Sequence, residues 1–122
     1  MTKKDFSIWA EKFLKAWADL NPEAALSVLS KDVEYHESPF SGPCKSWNEV
    51  EKLWKVVPDN QKDITYKHDV IMVEGDLGLI HWNVRRTTVP EGKQQEFDGV
   101  FLVRLNQEAL CTMFKQWRMV RE

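Results

Sequence analysis

Proton-transfer chemistry needs a carboxylate or an imidazole held where water is scarce. Three residues stand in segments patterned for that: Glu37, His81 and Asp98. Glu37 closes the run Asp32-Val33-Glu34-Tyr35-His36-Glu37, which alternates as a strand does. Val33, Tyr35 and Glu37 share one face, and Glu34 and His36 share the other. A carboxylate at the mouth of an apolar pocket loses solvation, which raises proton affinity and suits a general base near neutral pH. The plainer alternative for Glu37 is a solvated acid at a strand end. His81 lies in Leu79-Ile80-His81-Trp82-Asn83-Val84, on the face of Leu79 and Asn83 and opposite the more apolar face of Ile80, Trp82 and Val84. It could shuttle protons with Glu37 or Asp98, or serve as a hydrogen-bonded structural residue. Strict alternation sets Asp98 opposite Phe97, Gly99, Phe101 and Val103, and only a bulge at Gly99 would turn it inward. Tyr35, Trp54, Trp82, Phe101 and Trp117 are candidates for a pocket wall, with Trp47 beside them. Trp and Tyr offer a flat surface plus a donor, useful for holding a ring-shaped molecule; core packing is the competing role.

Other chemistries find little support. The three His have no ligand spacing, so no metal site is expected. There is no Gly-rich phosphate loop, nucleophile elbow or paired cysteine, and the expectation is chemistry without a cofactor. Cys44 and Cys111 are too few for a disulfide scaffold, and Cys111 reads as a small core hydrophobe. A formal net charge of -2 with dispersed basic residues gives no electrostatic case for nucleic acid or an anionic membrane. The segment Met1 to Asp5 leads into an amphipathic pattern rather than an apolar run, so a soluble, reducing, cytoplasmic setting is the default.

The elements that must position these groups follow from periodicity. The 122 residues fit one domain spanning 1–122, and 43% hydrophobic residues with six Trp and six Phe suffice for a core and leave room for an apolar cavity. Phe6, Trp9, Phe13, Trp17 and Leu20 recur at helical spacing. Asn21-Pro22-Glu23 starts a second, short helix. Ser46 to Glu49 is a capping box for a third, with apolar positions Trp47, Val50, Leu53, Trp54 and Val57 and a stop at Pro58. A polar link, Asp59 to Lys62, precedes strands at Ile64–Val73 and Leu77–Val89. Phe97–Leu105 and Leu110–Arg118 then form a β-hairpin about a polar turn, apolar on both faces and so expected in the middle of a sheet. Helices first and strands last imply an α+β fold with antiparallel strands, the sheet curling round the first helix over a cavity.

In that order of elements the chain resembles the nuclear transport factor 2-like superfamily, in its SnoaL-like polyketide cyclase and ketosteroid isomerase branch. Three stretches carry the resemblance: Leu29 to Glu37 as the first strand ending in an acid near Pro39, the loop with Gly42 leading into the Ser46 helix, and Phe97 to Phe101 continued by Lys115-Gln116-Trp117. The resemblance implies a cone-shaped, cystatin-like domain with a pocket for a small apolar molecule, commonly a homodimer through the sheet. It implies an isomerase, cyclase or dehydratase with Glu37 as the base; a non-catalytic ligand-binding or protein-interaction domain is the alternative. The sequence departs from the family in two places: Ser38 stands between the acid and the Pro, and the family's second acid aligns near Phe101, where no acid is found.

Overall fold

The first helix forms because its apolar residues fall on one stripe and its start is capped. In the computed structural model, which describes residues 1–122, α1 runs from Lys3 to Ala18. Thr2 accepts from the Asp5 amide while the Asp5 carboxylate accepts from the Thr2 amide, a capping box. Phe6, Trp9, Phe13 and Trp17 are all buried, as their spacing requires. A short α2 (Pro22–Leu26) opens at its Asn21 cap and leads to β1 (Leu29–His36). A loop returns at Cys44, whose backbone exchanges both hydrogen bonds with Tyr35. Then come α3 (Trp47–Trp54) and α4 (Val57–Asn60). Ser46 caps α3 by accepting from Glu49, but the Glu49 carboxylate reaches back to the Lys45 amide rather than to Ser46.

Four long strands complete the chain: β2 (Gln61–Glu74), β3 (Leu77–Thr88), β4 (Gln94–Leu105) and β5 (Cys111–Arg121). With β1 they form one curved, unclosed five-stranded sheet in the order β1-β5-β4-β3-β2, with the β4–β5 hairpin in the interior. Gly75, at φ 61, makes the tight turn between β2 and β3, and all three meander pairs are antiparallel. The expectation of antiparallel strands throughout is corrected at one place: β1 lies parallel to β5, from Leu29 beside Cys111 to His36 beside Lys115. The intervening chain, α3 through β4, is more than long enough for a parallel return. A second correction is α4, where the sequence suggested a stop at Pro58 and a polar link. Proline is tolerated in a first helical turn, and here it starts one more turn. No helix is long and apolar enough to cross a membrane.

The core lies between α1, α2 and the concave face. Trp9 stacks on Phe13, Phe13 meets Phe101 edge-on, and Phe101 stacks on Trp82 at 4.9 Å between ring centroids. Trp9 also donates from Nε1 to the Val28 carbonyl at 2.9 Å, tying α1 to the start of β1. Glycine is required at two points. A Cβ at Gly78 would run into the Phe6 ring, and one at Gly99 would run into the Trp117 carbonyl oxygen.

Candidate functional site

Alternation along each strand decides which side chains can meet on the concave face. On β1 the inward phase is Val33 and Tyr35, and Glu37 continues it one residue past the strand end. On β5 it is Phe114, Gln116 and Arg118; on β3 it is Ile80, Trp82, Val84 and Arg86. Below Val84 the core fills the space between this face and α1. Toward the end of β3 the packing gives way to a cavity of about 150 Å³.

The floor of that cavity is buried: Phe13 and Trp17 from α1, Tyr35, Phe101, Trp54 and the amides of Gln61 and Gln116. Its mouth is formed by residues with solvent exposure: Leu53, Val56, Asn60 and Arg118, with Glu37 half-buried among them. Tyr35 stacks on Phe114 at 4.4 Å and accepts a hydrogen bond from Trp54 Nε1 at 3.4 Å. Burial holds the Tyr35 phenol well above the ordinary tyrosine range, so at neutral pH it is a neutral O–H donor. Gln61 accepts from the Trp17 indole N–H and donates to Asn60 Oδ1 at 3.0 Å, which fixes its amide. Gln116 is 6% exposed, lines the cavity and forms no side-chain hydrogen bond within the chain.

Two arginines complete the lining. The Arg86 guanidinium donates twice to Gln95 Oε1, at 3.0 and 2.9 Å, and lies 4.7 Å from the centroid of the Phe97 ring. Arg118 lies 5.2 Å from the same ring. Burial first, and then the charge of Arg118, lowers the pKa of Arg86. The arrangement offers one carboxylate, one neutral phenol, two guanidiniums and free amide groups around an aromatic floor. That is enough for general-base chemistry on a small molecule.

The structure separates the residues picked out by sequence into two sets. Glu37, Tyr35, Trp54 and Phe101 line the cavity. The other five do not, and among them Trp47 donates from Nε1 to the Leu29 carbonyl at 2.9 Å. β4 keeps unbroken register with both neighbours through Gly99, so no bulge turns Asp98 inward. Asp98 and His81 lie on the outer face, bonded to each other at 2.9 Å, and Asn83 donates to Asp98 at 3.2 Å. The sheet therefore stands between either of them and Glu37. Trp117 is also on the outer face, 42% exposed. Trp82 is inward but wholly buried against Trp17 and Phe101, which makes it core rather than wall. Arg86, Arg118, Gln61 and Gln116 were not anticipated. Strand phase would have found three of them, since Arg86 follows Val84 by two residues and Gln116 and Arg118 follow Phe114 in the same step.

Comparison with known proteins agrees with this architecture. The family model for the SnoaL-like domain matches residues 10–113. No curated protein matches the sequence. Among solved structures, a ketosteroid isomerase-like protein from Erwinia carotovora atroseptica SCRI1043 superposes with a TM-score of 0.75 at 14% identity, covering 96% of this chain and 95% of that one. SalBIII, an epoxide hydrolase/cyclase-like enzyme in pyran ring formation in polyether salinomycin, gives 0.80 at 10% identity, with 96% and 94% covered. A nuclear transport factor 2-like protein from Burkholderia xenovorans LB400 gives 0.70 at 16% identity, with 98% and 92% covered.

Proposed function

The chain belongs to the SnoaL-like domain family, and from that premise we propose that it is a cofactor-free enzyme of the isomerase or cyclase type. In this reading Glu37 takes a proton from a small, largely apolar substrate. Tyr35, two residues earlier on the same strand face, donates a hydrogen bond to the oxygen on which negative charge develops. The observation that carries the reading is the shared lining: a half-buried carboxylate and a buried neutral phenol open into one aromatic-floored cavity. A base and an oxyanion donor on either side of a carbonyl compound are what enolisation needs. The cavity volume of about 150 Å³ suits a substrate of about one ring, since a space of that size accommodates benzene. Two unpaired cysteines, Cys44 and Cys111, suit a reducing, cytoplasmic setting.

A ligand-binding protein without turnover is the second reading. It is favoured by Phe101, a fully buried core residue where the resemblance leads one to look for a second acid. Deuterium exchange separates the two readings. Cyclopentanone, cyclohexanone and 4-methylpentan-2-one are incubated with the protein in D2O, and loss of the α-C–H signal is followed by NMR. Exchange accelerated by the wild type and lowered by about 10²-fold in Glu37→Gln supports the enzyme. Saturable binding of the ketones with identical exchange in both proteins supports the binding domain.

A further inference from the structure

The charges lining the cavity do not balance. The chain has five arginines, and three are paired with carboxylates on the outer face or at turns: Arg85 and Arg121 with Glu96, and Arg104 with Asp76. The remaining two, Arg86 and Arg118, have no carboxylate within ion-pair distance, and both line the cavity. With Glu37 as the cavity's one acid, the lining carries a formal excess of one positive charge. An uncompensated, partly desolvated cation is costly, and an anion brought between two of them relieves that cost.

The two guanidiniums are also held ready. The Phe97 ring lies against both. Gln95 accepts from Nε and Nη2 of Arg86, which fixes the plane of the fork, and its own amide donates to Glu122 at 3.2 Å. That neutral partner leaves the charge of Arg86 unmatched and the Nη1 side of the fork without a bond. On the cavity floor Gln116 supplies a further amide, nine-tenths buried and unpartnered. A planar anion with two oxygens matches a guanidinium fork bidentately.

We propose that the cavity selects a small organic carboxylate, its carboxylate on Arg86 and Arg118 near the mouth and its apolar part against Tyr35, Trp54 and Phe101. The inference rests on the reading of this cavity as a small-molecule site and narrows it to an anionic substrate class of about one ring. It also divides the labour of the site. The arginines anchor the end that does not react, which sets the reacting C–H at a fixed distance from Glu37.

Isothermal titration calorimetry with matched probes tests it. The pairs are benzoate with benzamide and cyclohexanecarboxylate with cyclohexanecarboxamide, which differ in charge and hardly in shape. The expected result is that the wild type binds each carboxylate at least about tenfold more tightly than its amide, the worth of one charge-assisted hydrogen bond. Added salt narrows that gap. Arg86→Met and Arg118→Met abolish the preference, and Arg85→Met, on the outer face, retains it. Amides bound as tightly as carboxylates by the wild type overturn the anionic class while the small-molecule reading stands. No binding of either kind overturns both. A preference that survives both cavity variants, checked as folded by thermal melting, places the anion elsewhere and overturns the assignment to Arg86 and Arg118. If a variant does not fold, the wild-type comparison of acid with amide still decides.

Discussion

The two faces of one sheet hold the same kinds of residue in opposite circumstances. On the concave face Trp82 is 0% exposed and stacked on Phe101; on the outer face Trp117 is 42% exposed. Inward, Arg86 and Arg118 lack a carboxylate partner; outward, Arg85 and Arg121 share Glu96. Inward, Glu37 stands with no salt-bridge partner within 4.0 Å, whereas outward Asp98 is bonded to both His81 and Asn83. The outer groups satisfy one another next to solvent, and the inner ones remain free toward a cavity. An acid next to a histidine is thus a poor guide to reactivity here, because their mutual bonds already stabilise the state in which they rest.

Exchanging one residue type on each face gives the largest contrast. Trp82→Ala should cost about 3–5 kcal/mol of stability, the usual cost of removing a buried Trp. Trp117→Ala should cost well under half of that, since its ring already meets water. Urea denaturation at concentrations low enough to keep the chain monomeric measures both, and equal losses would erase the distinction between the faces. Next come the acids. In the deuterium-exchange assay Glu37→Gln should lower the rate by about 10²-fold, a typical contribution of a positioned base, and Asp98→Asn should leave it unchanged. A loss with Asp98→Asn and none with Glu37→Gln would move the chemistry to the other face.

Much of this contrast was legible in the sequence. Phe6, Trp9, Phe13 and Trp17 keep helical spacing, so their common face could be read directly, and all four are buried. Strict alternation likewise put Asp98 opposite Phe101 and put His81 opposite Trp82. Two things were hidden. The parallel pairing of β1 with β5 joins residues about 80 apart, Leu29 with Cys111 and His36 with Lys115, and short-connection rules speak only of neighbours. The arginines of the cavity were hidden by their type. Long charged residues near strand ends usually snorkel to water, and only the end of the core beside Phe97 makes an inward Arg86 tolerable.

The outer face carries a further expectation, that two copies of the chain pair through it. Trp117 and Met119 stand exposed beside each other's strand phase on β5, and apolar area on such a face commonly marks an interface. Sedimentation at micromolar concentration should find a dimer, and Trp117→Glu should weaken association by at least about tenfold, as loss of a central aromatic contact does. A wild type that sediments as a monomer rejects the pairing.

The smallest effect is a pH dependence confined to the outer face. The His81 hydrogen bond, and then that of Asn83, holds the Asp98 carboxyl below its ordinary value. A group whose pKa is depressed by folding stabilises the fold above its unfolded value and loses that contribution as pH falls through the folded one. Comparing the wild type with Asp98→Asn should therefore show a stability difference at pH 7 that vanishes on acidification below about pH 4, the unfolded carboxylate range. Because Asp98 is exposed and screened, the difference at pH 7 should be no more than about 1 kcal/mol, and added salt should reduce it. Chemical denaturation of the two proteins across pH 3 to 7, with the gap plotted against pH, measures this. A gap that persists undiminished to the lowest pH would mean that ionisation of Asp98 contributes nothing to it, and the His81–Asp98 bond would then be neutral to folding.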